Sequence, residues 1–512
     1  MSEPKSETQS AEQVGWTDKA AGVGAEVGGV RSSDAENGLG VEGLNTETRV
    51  YLEAWRRGSA CARAPQRSEG CGEGSAKAGI ATPENIRKLQ RVLYRKAKAE
   101  PKYRFWSLYG DIMRGDMLEY ALRLVSRNGG ASGVDGQTIK SINATPQGRQ
   151  QWLEALQKEL KTKTYRPRPV RRVMIPKSNG GQRPLGIPTV KDRVVQMATT
   201  LVLTPIFEAD FHPRSFGFRP RRDAHQAMEE IVQALRSGRR EVLDADLSKY
   251  FDTIPHGQLM RQVARRVRDG SVLRLIKLWL RAPVVEEDEE GTKRVKPNRC
   301  GTPQGGVISP LLANIYLNAL DWAVNERAAE KPMMVRYADD FVILCGKGQG
   351  ASLRERLRKW LQARGLKLNE EKTRLVDSQH GFDFLGFHVR WQRSRRTGRW
   401  YAHVEPSTRS QQRLRDAVRE KLNHWTQWES IGESVTQLNR LLRGWSGYFH
   451  FGHSSGVMNK LRWWVEDRAR RWLWRKHGCR RALWNDYTNP ILYERHGLFA
   501  LPTTAGWKRQ RA

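Results

Sequence analysis

Asp339 and Asp340 stand side by side in an otherwise apolar hairpin, Met334-Val335-Arg336-Tyr337-Ala338-Asp339-Asp340-Phe341-Val342-Ile343-Leu344. Adjacent carboxylates repel each other, and burial raises the cost of each charge. A cation removes that cost, and a divalent metal suits the place because hard cations prefer carboxylate oxygens. The pair reads as half of a metal site, although Asp also suits a turn with no ligand at all. The other half requires a third acid near the end of a second strand.

Glu241-Val242-Leu243-Asp244-Ala245-Asp246-Leu247 alternates with the period of a strand. One face carries Val242, Asp244 and Asp246, the other Leu243, Ala245 and Leu247. Spacing separates the two acids, because Asp246 is followed five residues later by Phe251 and then by Asp252. An acid with an aromatic ring at that interval resembles the first catalytic motif of reverse transcriptases, and Tyr337-Ala338-Asp339-Asp340 resembles their second. The resemblance implies Asp246, Asp339 and Asp340 as catalytic carboxylates. Asp246 and Asp339 would bridge two Mg²⁺ ions, the Leu247 carbonyl would add a ligand, and Asp340 would play a secondary part. Phe251 would stand where a ribose 2′-hydroxyl projects and so exclude ribonucleotides.

Further segments follow in the order this family shows. Arg171 to Lys177, a Gly-containing turn and Gln182 to Pro188 read as a basic hairpin. It is either a solvated surface element or, as the resemblance implies, a grip on a triphosphate through Lys177 and Arg183, a point charge and a planar fork. The run from Phe211 to Arg219 interleaves rings with Arg214 and Arg219. That suits a template strand and equally a core loop with surface cations. Gly301-Thr302-Pro303-Gln304-Gly305-Gly306 opens a helix with Leu312, Ile315, Tyr316 and Leu320 on its apolar face. In the family this motif lies beside the incoming nucleotide, with Gln304 as the matching polar residue. The segments Gly365 to Thr373 and Phe382 to Phe387 resemble the last two motifs of the polymerase core. The acids from Glu286 to Glu290, opposite Lys293, Arg294 and Lys296, read as a charge-paired surface hairpin.

Positioning these groups takes a large fold, and 512 residues provide for about three domains. A net charge of +34 implies a polyanionic partner. Residues 1–80 carry 9 Lys and Arg against 12 Asp and Glu, so the positive excess belongs to the remainder. No apolar run reaches the ~18 residues that cross a bilayer, and the N-terminus lacks a secretory profile. Five Cys without metal-ligand spacing fit a reducing compartment, so the expectation is a cytoplasmic protein with no membrane partner. Residues 1–82 read as a disordered leader rich in Gly, Ala, Ser and Glu. Thr82 as N-cap and Pro83 as first helical residue open the ordered part, with helical spacing over 84–125 and again around Trp152, Leu153, Leu156 and Leu160. Residues 83–392 mix helices with short strands, 393–480 read as helical, and 481–512 as a basic tail.

Leu438 to Phe449 resembles the maturase domain of group II intron proteins, which in that family serves both as polymerase thumb and as intron-RNA binder. Arg440 and Arg443 within it are candidate RNA contacts. On the next helix Leu461, Trp464, Val465, Ala469 and Trp472 form a core stripe. Trp463, Arg470 and Trp474 share another face, where they either stack on bases or pack on a neighbouring helix. The expected architecture is α+β: a right-hand polymerase with fingers and an antiparallel palm sheet, followed by an all-helical thumb and maturase domain. The resemblance implies an RNA-directed DNA polymerase that binds its group II intron RNA, assists splicing, and copies RNA at a DNA target. Its other partners would be a DNA primer and deoxynucleoside triphosphates, with homodimerisation left open. A splicing-only maturase and a reverse transcriptase serving host defence or repair are the alternatives. The three acids argue against the first and the maturase-like segment against the second. The leader has no counterpart in the family, and no segment matches the His- and Cys-containing nuclease domain of many relatives, so no endonuclease is expected.

Overall fold

A computed structural model describes residues 80–176, 182–287, 292–423, 425–478 and 487–504. They form two compact units, residues 80–230 with 243–374, and residues 231–242 with 375–504. The leader up to residue 79 lies outside the described residues, as do 479–486 and 505–512 of the tail.

At the centre of the first unit is the helix Val190–Glu208, buried along nearly its whole length. It carries buried apolar side chains on every side, with Val194, Val195, Leu203 and Met197 pointing in different directions, as a helix enclosed by others must. The helices Glu84–Ala99 and Gly115–Arg127 pack on it. The helical stretch expected over 84–125 is therefore interrupted. Arg266 explains the break, because its guanidinium donates to the carbonyls of Ala97 at 2.6 Å, Glu100 at 3.0 Å and Tyr103 at 3.1 Å. The first two are groups that a helix leaves unpaired at its C-terminal end, and the third lies just beyond it. Thr82 does not cap the first helix, and its buried hydroxyl lies instead 3.0 Å from that of Tyr120.

The strands are β1 (Val170–Pro176), β2 (Gln182–Ile187), β3 (Glu241–Ala245), β4 (Val284–Glu287), β5 (Lys293–Lys296), β6 (Met333–Tyr337), β7 (Asp340–Cys345), β8 (Arg374–Asp377), β9 (Phe382–Phe384), β10 (Phe387–Arg393) and β11 (Trp400–Pro406). One sheet of the first unit runs β2-β1-β4-β5 and is mixed, since β1 and β4 are parallel. In its outer hairpin Glu286 accepts from Lys296 at 2.5 Å, as expected, and also from Arg172 of β1 at 2.8 Å, while Asp288 to Glu290 lie outside the described residues. The second sheet brings β6, β7 and β3 together in that order. The strand β6 is buried throughout except at Tyr337, and the helix Ser309–Trp322 buries Leu312, Ile315, Tyr316 and Leu320 as the sequence predicts.

In the second unit the strands run β11-β10-β9, all antiparallel. Strand structure continues to Pro406 because Ala402 and Val404 alternate inward along β11, so the helical region begins at Thr408 rather than at 393. The helices Thr408–Lys421, Ile431–Phe449 and Ser455–Lys476 then close over Leu414, Val418, Leu438, Leu442, Leu461 and Trp472. Leu492, Leu498 and Leu501 are buried in the same core, so residues 487–504 belong to this unit and are not a tail.

Candidate active site

The strands β6 and β7 meet in a two-residue turn, Ala338-Asp339, with Tyr337 paired to Asp340. Ala338 has a φ of 62°, left-handed backbone that costs a residue with a Cβ roughly 1–2 kcal/mol. The surroundings hold it there. A Cβ on Gly217 would lie 2.2 Å from the Ala338 amide nitrogen, so only glycine allows that approach. The neighbouring segment runs beside β6, Phe216 N donating to Arg336 O at 2.8 Å and Arg336 N to Arg214 O at 3.0 Å.

Arg336 lies beneath the turn, fully buried, with all five N–H donors engaged. Nε and Nη2 donate to the two Asp321 oxygens at 2.8 and 2.6 Å. Nη1 donates to Asn314 Oδ1 at 2.8 Å and to the Ala338 carbonyl at 2.7 Å, and Nη2 also reaches Ser215 Oγ at 2.7 Å. The Ala338-Asp339 turn therefore hangs by a carbonyl from a buried ion pair. Sequence reasoning gave this residue no role. An arginine in the middle of an apolar strand was the available signal.

Asp246 follows β3. Its carbonyl accepts from Asn369 N at 2.8 Å, and Ser248 N donates to Lys367 O at 2.9 Å. These bonds flank an antiparallel bridge between Leu247 and Leu368. In that geometry the Leu247 carbonyl points to the opposite edge of its strand. Asp246 Oδ2 accepts from Asn369 Nδ2 at 3.2 Å and pairs with Lys372 Nζ at 3.0 Å. Burial pushes the Asp340 carboxyl up to about 7, and Asp339, Asp246 and Asp244 push it the same way while Lys372 opposes them. The Asp340 side chain stays open to solvent on one side. The like charges around it are thus the part of the shift that an added cation reverses.

Among the described residues no three Asp, Glu, His or Cys side chains converge closely enough to enclose a metal ion. Asp246 is turned onto Lys372 and Asn369. The donor set still fits a hard divalent cation, being carboxylate oxygens with an excess of negative charge. One consequence is measurable without substrate. The Asp340 value of about 7 lies above the ordinary carboxylate range. The native state therefore keeps a proton that the unfolded chain has released between about pH 4 and 7, and above pH 7 it bears the repulsion in full. Asp340→Asn should raise the melting temperature of metal-free protein by roughly 2–4 °C at pH 8, and by less as the pH falls through 7 toward 5. An equal shift at pH 5 and pH 8 would rule out ionisation as its cause.

The Gly-rich loop is knitted to the same neighbourhood. Gly301 N donates to Ile254 O at 2.8 Å and Thr302 N to Phe251 O at 2.7 Å. On the other side Gly186 N donates to Gln304 O at 2.5 Å. A Cβ on Gly305, whose φ is +113°, would stand 2.3 Å from Gly186 O. The fold thus gathers Phe251, Gln304 and the backbone of β2, which carries Arg183 opposite Ile175. Gln304 Nε2 donates to Asp252 Oδ2 at 3.2 Å, and Phe251 packs edge-on against Tyr250 with ring centres 5.5 Å apart. Lys177 and the side chain of Arg183 lie outside the described residues.

Two expected RNA contacts are structural. Arg219 is 3% exposed, bonded to Glu208 and, at 2.6 Å each, to the carbonyls of His212 and Ser215. Arg470 is 9% exposed and donates to the Tyr487 carbonyl at 2.7 Å. Helical period placed it on a free face, but the chain at Tyr487 covers that face at Arg470. Arg214 is half-buried and pairs with Glu230 at 3.1 Å. Arg440 and Arg443 are exposed, Arg443 over the Phe499 ring at 5.1 Å. Trp463 is 59% exposed, and Trp474 is half-buried. Among the described residues no helix is long and apolar enough to cross a membrane.

Residues 175–389 match the family model described as reverse transcriptase (RNA-dependent DNA polymerase), and residues 411–487 that of the group II intron maturase-specific domain. The protein YkfC of Escherichia coli is 37% identical over 349 residues, 60% of this chain and 90% of that protein. The group II intron-encoded protein LtrA of Lactococcus lactis is 30% identical over 355 residues, 57% of each chain. Nuclear intron maturase 2, mitochondrial, of Arabidopsis thaliana is 32% identical over 166 residues, 26% of this chain and 22% of that one. Site and matches together define an RNA-directed DNA polymerase. Within that class the chain belongs to the reverse transcriptases that carry a group II intron maturase-specific domain.

Proposed function

We propose that this protein binds a group II intron RNA, assists its splicing, and copies RNA into DNA from a primer at a DNA target. The observation that carries the reading is the placement of Asp339 and Asp340 at the β6–β7 turn, in the sheet whose β3 leads into Asp246, so that Asp339 and Asp246 both raise the cost of charge on Asp340. Asp246, Asp339, Asp340 and the Leu247 carbonyl would hold two Mg²⁺ ions, which when bound supply acidification of a primer 3′-hydroxyl and neutralisation of the triphosphate. Asp246 and Asp339 carry the charge that retains them. Asp252 fixes the Gln304 carboxamide beside the incoming deoxynucleotide. Lys177 and Arg183 hold its phosphates, and Arg440, Arg443 and Trp463 face RNA. The proposed setting is cytoplasmic.

Phe251 bars the ribose 2′-hydroxyl by bulk. Phe251→Val should raise ribonucleotide incorporation in primer extension by about 10-fold or more, the scale of a removed steric contact. Unchanged discrimination would remove that role. The reading as a whole is tested by an Asp339→Ala, Asp340→Ala protein in an assay containing a group II intron transcript. It should lose cDNA synthesis and keep splicing assistance. Loss of both, with fold and RNA binding intact, contradicts the separation of roles. No assistance from the wild-type protein, with cDNA synthesis intact, points to a reverse transcriptase serving another purpose.

A further inference from the structure

The hairpin of β10 and β11, in the second unit, ends in a strongly basic tip. From Phe387 to Tyr401 the chain has five arginines, Arg390, Arg393, Arg395, Arg396 and Arg399, and no acid. The tip is built, not loose. Ser394 N donates to Arg399 O and Gly398 N to Ser394 O, both at 2.9 Å, and Arg393 Nε donates to Gly398 O at 2.7 Å. The two nearby acids of this sheet are taken by histidines, Asp383 by His388 at 2.7 Å and Glu405 by His403 at 3.2 Å. Among the described residues no carboxylate pairs with Arg395, Arg396 or Arg399, and all three are exposed.

Beside these arginines is a stack with one open end. The rings of Trp391 and Trp400 are parallel to within 7° with centres 6.3 Å apart. The Arg240 guanidinium lies 4.0 Å from the Trp391 ring centre. Trp391 is 9% exposed, whereas Trp400 is 49% exposed. The inner indole is sealed and the outer one offers a face to solvent, where a large apolar ring gains nothing by standing alone.

We propose that this tip is a docking surface for a single-stranded segment of RNA. Its phosphates would lie along Arg393, Arg395, Arg396 and Arg399, and one base would stack on Trp400. Guanidiniums and an exposed ring at one edge match the two chemistries of a single strand, regular negative charge and free base faces. A duplex keeps its base faces stacked and so leaves the indole unused. RNA is the source because the hairpin belongs to the unit that holds the maturase-specific match at 411–487. The inference rests on that reading of the second unit.

The test compares full-length wild type with Arg395→Ala/Arg396→Ala/Arg399→Ala, with Trp400→Ala and with Trp400→Phe. The probe is a fluorescein-labelled 20-nucleotide oligo(U), titrated at several salt concentrations beside oligo(dU) and a duplex RNA. The triple variant should bind oligo(U) about 10-fold more weakly and lower the slope of log affinity against log salt by roughly 2. Trp400→Ala should lose about 5-fold or more, and Trp400→Phe should recover most of that. DNA-primed extension on saturating RNA template should be unchanged in all three. Unaltered affinity and salt slope in variants that still extend primers overturns this surface alone. Equal losses on the duplex overturn the single-strand assignment, and tighter oligo(dU) binding overturns RNA as its source. A folded wild type that neither binds oligo(U) nor extends a primer overturns the functional reading as well.

Discussion

Asp246→Asn lowers cDNA synthesis by at least about 10³-fold, roughly 4 kcal/mol in the barrier, without unfolding the protein. The substitution keeps the shape of the side chain, and an amide oxygen can still accept from Asn369 Nδ2, which lies 3.2 Å from the carboxylate. It removes the charge now opposed by Lys372 at 3.0 Å, the same charge that retains a divalent cation. Single-turnover primer extension measures the loss, and a thermal melt shows that the fold survives. Activity within tenfold of wild type would mean that Asp246 holds no metal.

Arg336→Met has the largest expected effect on stability. Asp321 is as buried as its partner, so removal of the guanidinium strands a carboxylate in the core. Breaking a buried ion pair from one side costs about 3–5 kcal/mol. The carbonyl of Ala338, Asn314 Oδ1 and Ser215 Oγ lose donors in the same step. A second change, Asp321→Leu, removes the orphaned charge and should restore a good part of the stability. It should not restore activity, because nothing then holds the Ala338 carbonyl in its strained turn. Urea melts of the single and double variants, with primer extension on each, separate the two effects. A single variant within about 1 kcal/mol of wild type would show that the pair carries little of the core's stability, since that is the scale of an exposed pair.

Much of the site was legible in the sequence because its chemistry is local. Asp339 and Asp340 are neighbours, and Asp246, Phe251 and Asp252 lie within seven residues just after β3. The Gly-rich loop stood out only through the family resemblance, and Gly305 against Gly186 O shows why glycine is needed there. The support beneath the turn was not legible. Arg336 draws on Ser215, Asn314 and Asp321, which come from a loop and a helix distant in the chain. Arg219 and Arg470 were misjudged for a related reason. Interleaved rings and cations, or a helical period, report a residue's type and face but not its partners: Arg219 turns back on the His212 and Ser215 carbonyls of its own run, and Arg470 onto the backbone of Tyr487. The domain boundary at 393 falls inside a hairpin because the run Arg393 to Arg399 has no apolar alternation to mark a strand. In the structure that run is the turn of the hairpin.

The most direct test of the central claim is DNA-primed extension on an RNA template by the purified wild-type protein, with the four deoxynucleoside triphosphates and Mg²⁺ titrated from zero. The structure's account requires a full-length complementary DNA that depends on the RNA template, rises with Mg²⁺ and disappears with a chelator. A folded protein that binds the primed template and adds no nucleotide at any Mg²⁺ or Mn²⁺ concentration would contradict it.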